Sequence, residues 1–337
     1  MPTRTGDIGT FERILHLRRL RILERLPPAL LAVVADAARE RFFPKGSLLS
    51  QEGEPVSAIQ VILEGNVHMS RRGRPMGHAR TGAAVGGLGL LARDNSGLEA
   101  RAEADTFALE LDADTVREIL EDHFPIYHHA LRETCGILLE LLIKKPEEYA
   151  RGPRIANWAV PSRELSLVER ILIIRQAPPF ARASINALAE LCRALTEVRF
   201  PAGVTLWRQG DSARTVVLVV EGLVATSRTG GGGPGRVGPG EPLGIVESIA
   251  EAPRWFEAVT ETPVVGLHAN IESLIDVFED NFEMAMDYLA AMSRFILEAI
   301  ERAADARGLP GFYGCDEDAP AAGAHADPAP GAEAPGG

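Results

Sequence analysis

The sequence is short of the residues that usually announce chemistry. Its 337 residues include three cysteines, Cys135, Cys192 and Cys315, none in a CxxC spacing. An odd, scattered set supports neither a disulfide framework nor a zinc cluster, and fits a reducing cytoplasm. Eight histidines contain no HxH pair, so the metal set of a cupin is missing. His128 and His129 are adjacent on a helix and face different ways, one toward solvent and one toward an apolar seam. No apolar run approaches the roughly 20 residues that cross a bilayer, and the N-terminus carries scattered charge rather than a signal-peptide core. No GxSxG, HExxH, phosphate-loop or kinase signature is present, which argues against an enzyme. Acidic pairs such as Glu147-Glu148, Glu121-Asp122 and Glu279-Asp280 read as helix-end or solvated charges. Basic residues are outnumbered, 35 Lys and Arg against 47 Asp and Glu, for a net charge of −12. That balance speaks against a protein that coats nucleic acid, although a local basic patch is compatible with it.

What the sequence does have is an internal repeat. The stretch from Phe43-Pro44-Lys45-Gly46 to Arg71 recurs without a gap from Phe200-Pro201-Ala202-Gly203 to Arg228, at an offset of 157 residues. Pro44/Pro201, Gly46/Gly203, Gly53/Gly210, Glu64/Glu221, Gly65/Gly222, Val67/Val224 and Arg71/Arg228 are identical. A repeat this long predicts two domains of one kind. Composition agrees, with 46% hydrophobic and 24% charged residues in a chain long enough for two or three soluble domains.

Within each copy, short apolar strands are divided by Gly and Pro turns, as for a sandwich or barrel-like roll. Ile59, Val61 and Leu63 alternate with Ala58, Gln60 and Ile62, whereas Val216–Val220 is apolar throughout, as for a strand covered on both faces. Each copy then returns to helix. Phe124, His128, Leu131, Cys135, Leu138 and Leu142 fall at alternating four- and three-residue steps, as do Phe282, Met286, Leu289, Ser293, Ile296 and Ile300, now at an offset of 158. Such a seam suits pairing of helices, between the two copies or between two chains, or packing of each helix on its own roll. Residues 11–26 read as one basic amphipathic helix, either packed on the first domain with its arginines in solvent or serving as a membrane-surface or partner-binding segment, and Pro27-Pro28 ends it. The predicted organisation is an N-terminal helix (1–28), a first domain (29–143), a linker (144–166) holding Trp158, a second domain (167–306), and a disordered Pro/Ala/Gly-rich acidic tail (307–337). Gly230–Gly235 reads as a flexible loop between strands.

Helix, roll with F-P-x-G and E-G turns, then long helix: this order resembles the cyclic nucleotide-binding domain family, which includes bacterial catabolite activator proteins and regulatory subunits of cyclic-AMP-dependent protein kinase. The resemblance implies a mainly β fold with flanking helices: two tandem jelly rolls, each with an N-terminal helical segment and a long C-terminal helix. It places ligand chemistry in a short cassette of pattern Gly-Glu-apolar-Ala-apolar-apolar, with an Arg ten residues after the Gly. There a helix N-terminus and the Arg hold the cyclic phosphate and the Glu accepts from the ribose hydroxyl.

Both cassettes depart from that pattern. In the first, Gly86 is followed by Gly87 in the Glu position and by Leu88, and Ser96 stands in the Arg position. In the second, Gly244 is followed by Ile245 in the Glu position, while Arg254 keeps the Arg position and Trp255 and Phe256 replace small residues. A hydrogen bond to a charged group contributes roughly 1.5–3 kcal/mol, so the first cassette should have lost a few hundredfold or more in nucleotide affinity. Arg254 either contacts phosphate or forms an ion pair; Trp255 and Phe256 either stack on a base or fill the space themselves.

The expectation is a non-enzymatic, cytoplasmic signalling or scaffold protein that acts through a protein partner and has lost or altered nucleotide binding. Two alternatives stand beside it: a cyclic AMP or cyclic GMP sensor working through the second copy alone, and a structural component of a larger assembly. Homo-oligomerisation through helices 124–142 and 282–303 is a further expectation. No DNA-binding domain is expected, since only 32 residues, rich in Pro, Gly and acid, follow Asp305.

Overall fold

The computed structural model describes residues 8–94, 98–151 and 160–306. The expected linker tryptophan Trp158, the cassette residue Ser96 and the 307–337 tail lie outside the described residues.

The repeat is a structural repeat. In the first copy, one antiparallel sheet has the order Arg39–Phe43, Thr106–Asp112, Ala58–Glu64, Ala84–Val85, and a second has Leu48–Ser50, Glu99–Ala102, Asn66–Arg71, Arg74–Arg80. The second copy repeats both orders with Thr196–Phe200, Val264–Asn270, Thr215–Glu221, Pro242–Leu243, and with Thr205–Trp207, Glu257–Thr260, Val224–Ser227, Arg236–Val237. The two central strands carry the same irregularity, between Ile62 and Glu64 and between Val219 and Glu221.

The shared turns explain why the repeat is so legible. Gly46 and Gly203 take φ of 90° and 83° after Pro44 and Pro201, and their N–H groups donate at 2.7 Å to Ala102 and Thr260 across the sheet. At the E-G turns, a Cβ on Gly65 would stand 2.8 Å from the Thr106 Cα, and one on Gly222 would stand 2.2 Å from the Pro263 carbonyl oxygen. Only glycine combines that backbone with that approach. The alternation expected over residues 58–63 is not realised as a one-sided strand. Ala58 and Gln60 through Leu63 are all buried, because helices cover the outer face of the sheet as well.

The repeat also extends upstream. Ile8 and Leu165 donate their N–H groups to Glu40 and Glu197 at 2.5 and 2.6 Å, and Arg13 and Arg170 clamp the carbonyls of Ala38 and Leu195 at 2.7 and 2.8 Å. The single helix expected over 11–26 is two, Thr10–Leu17 and Arg21–Glu24. The break turns the second piece onto the long helix Phe124–Lys144, where Arg21 pairs with Glu140.

The long helices cross between the copies. Phe124–Lys144 packs on the short helix Ile245–Ile249 of the second copy, and Phe282–Ala306 packs on Gly87–Leu91 of the first and on Phe124–Lys144 itself. Leu131, Cys135, Leu138, Leu142, Leu289, Ser293 and Ile296 are at most 1% exposed. The seam that could have served a homo-oligomer is therefore covered inside one chain. Tyr127 donates to the Ala285 carbonyl at 2.7 Å across it. One apolar core accordingly runs through both copies, with a small separate cluster inside the first roll.

Two further expectations are corrected by this crossing. Neither His128 nor His129 is exposed; His129 is 7% exposed, with Nδ1 2.9 Å from Arg132 Nη2. Glu148 is buried rather than solvated, because Arg302 of the other copy's long helix donates to it at 2.7 and 3.0 Å.

Candidate ligand cassette

Each cassette begins at a left-handed glycine, Gly86 at φ 85° and Gly244 at φ 82°, from which a five-residue helix starts: Gly87–Leu91 and Ile245–Ile249. The frame is the same in both copies, but the filling differs.

In the second copy the Arg254 backbone is pinned first. Its N–H donates to Asp211 at 2.9 Å and its carbonyl accepts from Gly210 at 2.8 Å. The side chain then turns inward. Nη1 donates to the Gly244 carbonyl at 3.0 Å and to Glu247 Oε1 at 3.3 Å, and Nη2 donates to the Thr215 carbonyl at 2.5 Å. The guanidinium lies over the Trp207 ring, 4.0 Å from its centroid, a cation–π contact in a dry setting. Arg254 is 2% exposed and Glu247 is fully buried. Burial raises the Glu247 carboxyl above the usual range, with the Arg254 charge opposing that rise. Glu247 Oε2 has no hydrogen-bond partner among the described residues, so one arm of the carboxylate remains unsatisfied.

Trp255 and Phe256 pack into the core, at 6% and 0% exposure, with their rings perpendicular at 5.0 Å, and Phe256 lies 5.9 Å from Trp207. Both rings are thus packed against protein rather than presented at the surface. Ile245, in the family's Glu position, joins an apolar wall between helices.

In the first copy, Val56 occupies the corresponding space. A Cβ on Gly86 would stand 3.2 Å from Val56 Cγ1, and one on Gly89 would stand 2.9 Å from Val56 Cγ2. Gly89 is the counterpart of Glu247, and Ser96 that of Arg254, so the buried ion pair is absent as a unit. Gly87 and Leu88 open the short helix without contributing a polar side chain, and Arg71 is drawn to Asp94 at 2.6 Å and to Glu301 of the other copy at 2.5 Å.

A family model described as the cyclic nucleotide-binding domain matches twice, over residues 40–123 and 197–281, which together make up half of the chain. The chain belongs to the cyclic nucleotide-binding domain family. Solved structures similar to this chain include the regulatory subunit of a cAMP-independent protein kinase A from Trypanosoma brucei, 18% identical over 89% of this chain and 93% of that chain, with a TM-score of 0.34. The regulatory domain of Toxoplasma gondii protein kinase A, crystallised with cAMP, is 18% identical over 89% of this chain and 98% of that one, at a TM-score of 0.31. The N-terminal domain of a transcriptional regulator from Streptomyces coelicolor is 28% identical over 41% of this chain and 97% of its own, at 0.34. No curated protein matches the chain. Among the described residues, no helix is long and apolar enough to cross a membrane.

Sequence reasoning named Gly244 and Arg254; it did not name Glu247, Trp207 and Thr215, which the Arg254 side chain contacts. A signal for Glu247 existed: it puts a charged residue at the family's small Ala position, seven residues before the one retained arginine.

Proposed function

We propose that the protein is a non-enzymatic, cytoplasmic regulatory or scaffold module whose cassettes no longer take a cyclic nucleotide in the family's manner. Its crossed copies act as one unit toward a protein partner. The observation that carries this reading is the commitment of Arg254. Its guanidinium is neutralised by Glu247, bonded to the Gly244 and Thr215 carbonyls and stacked on Trp207, all within the chain. Turning it toward a phosphate would break these contacts and leave Glu247 as a buried, unpaired charge, which costs about 3–5 kcal/mol. A phosphate contact must first recover that loss. The first cassette supports the same reading, since Val56 fills it and its described arginine, Arg93, is paired with Asp287 of the other copy at 2.6 Å.

Calorimetry with cyclic AMP and cyclic GMP on wild type and Arg254→Ala tests the proposal. No heat of binding at millimolar ligand is the expected result. Saturable binding that disappears in Arg254→Ala would overturn it in favour of a cyclic-nucleotide sensor working through the second copy.

A further inference from the structure

The molecule contains an apolar cavity of about 130 Å³ where the two copies meet. Its wall is drawn from four places: Ile245 and Val246 of the second cassette helix, Leu138 of the first copy's long helix, Tyr288 and Met292 of the second's, and Phe180 of the segment that precedes the second roll. Most of this wall is hydrocarbon and sulfur. The exceptions are Glu241, whose carboxylate accepts from the Gly238 N–H at 2.5 Å, and Tyr288, which is 2% exposed and whose hydroxyl has no hydrogen-bond partner among the described residues.

A buried hydroxyl without a partner is uncommon, because its desolvation is not offset by any bond made in the fold. The wall is mostly apolar, which disfavours an ordered water there, since such a water needs two to four polar partners. Apolar cavities of about 150 Å³ stay dry and take up benzene, so 130 Å³ has the capacity for a molecule with a six-membered ring and lies well below the space a drug-sized ligand needs. Met292 adds adaptability to the wall, since its unbranched thioether can repack around different shapes.

We propose that this cavity is a binding site for a small neutral molecule, one six-membered ring or its equivalent in carbon, carrying a single hydrogen-bond acceptor that takes the Tyr288 hydroxyl proton. The site is separate from the cyclic phosphate position, because it lies between helices rather than at the left-handed Gly244. Ile245 links the two. The position where the family pattern has a carboxylate supplies apolar wall here, and a carboxylate in its place would make the cavity inhospitable to such a ligand. Because both long helices and the second cassette helix contribute to the wall, an occupant touches both copies at once.

Two near-isosteric probes test the site on the full chain: cyclohexanone, which has an acceptor, and methylenecyclohexane, which has none. Both should raise the melting temperature and shift the methyl resonances of Ile245 and Met292. Tyr288→Phe removes only an unpartnered hydroxyl and should fold. It should weaken cyclohexanone by about tenfold, the loss of one hydrogen bond, and leave methylenecyclohexane within about twofold. Val246→Phe should fill the space and abolish binding of both probes; Ile245→Phe does the same from the neighbouring position if the first variant folds poorly. Failure of both probes to bind wild type at millimolar concentration, or equal affinities of both probes for wild type and Tyr288→Phe, would overturn the proposal.

Discussion

The Arg254 guanidinium and the Glu247 carboxylate meet at 3.3 Å with about 1% of either side chain exposed. A pair this deep is stable only as a pair, since each charge alone would sit in low dielectric without compensation. Arg254→Met should therefore destabilise the protein by about 3–5 kcal/mol. Adding Glu247→Leu should recover a large part of that loss, because the second substitution removes the stranded carboxylate. Urea denaturation of the four members of the cycle measures the coupling. Additive losses would show that the two groups are independent.

Gly244 and Gly203 share a left-handed backbone, at φ 82° and 83°, but not their surroundings. A Cβ on Gly203 meets nothing within 4 Å, whereas one on Gly244 would stand 2.1 Å from Arg254 Nη1 and 3.2 Å from the Thr215 carbonyl. Gly203→Ala should cost roughly 1–2 kcal/mol for the backbone alone. Gly244→Ala should cost at least about 2 kcal/mol more, because it displaces the guanidinium from its partners. In an Arg254→Ala background the excess should shrink. An excess of the same size in both backgrounds would rule out the guanidinium as its cause.

Leu289 and Ile296 are fully buried on the seam between the copies. Leu289→Asp or Ile296→Asp should destabilise the fold by more than about 4 kcal/mol, with no change in the mass of whatever native protein remains. Sedimentation combined with thermal denaturation checks both points. A variant that keeps its melting temperature and merely halves its mass would mean that the seam joins two chains.

His129 supplies a pH dependence. Burial, with help from the Arg132 charge 2.9 Å from its ring, lowers the imidazole below its ordinary 6.5. Its neutral form is the one the fold accommodates. The stability it contributes is complete above pH 6.5 and is lost as pH falls through the lower folded-state value. His128 is depressed in the same direction, chiefly by burial. The double variant His128→Gln, His129→Gln should flatten the stability profile below pH 6.5. A slope identical to wild type between pH 5 and 6.5 would exclude these two rings as its origin.

Two kinds of information separate what the residues foretold from what they did not. Turns at Gly46, Gly65, Gly203 and Gly222 are local demands of backbone geometry, and the repeat advertises them twice. The helix seam was equally legible, because a period of alternating four and three steps identifies an apolar side. It does not identify what covers that side, so the crossing onto the other copy's cassette helix was not readable. Arg254 was found by spacing, yet spacing cannot say which anion faces it; Glu247 became its partner only when the short helix had wound one turn. Glu148 and His129 read as solvated for the same reason. Each is covered or bonded by a surface that the local sequence does not contain. The break at Arg18–Leu20 carries no proline or glycine to mark it, and follows from docking of Arg21–Glu24 on a helix more than a hundred residues away.

The crossed long helices also impose a schedule on biosynthesis. Tyr127 waits for Ala285, 158 residues downstream. At about 5–20 residues per second that interval lasts roughly 8–30 s, and a C-terminal stretch must also clear the ribosome before it can dock. Throughout that time the first copy exists with its roll formed, while Gly87–Leu91 lacks the helix that packs on it and the Leu131–Leu142 seam lies open to water. The nascent protein is thus a distinct species with an apolar stripe that the finished one hides, and a chaperone or a neighbouring nascent chain meets that species first.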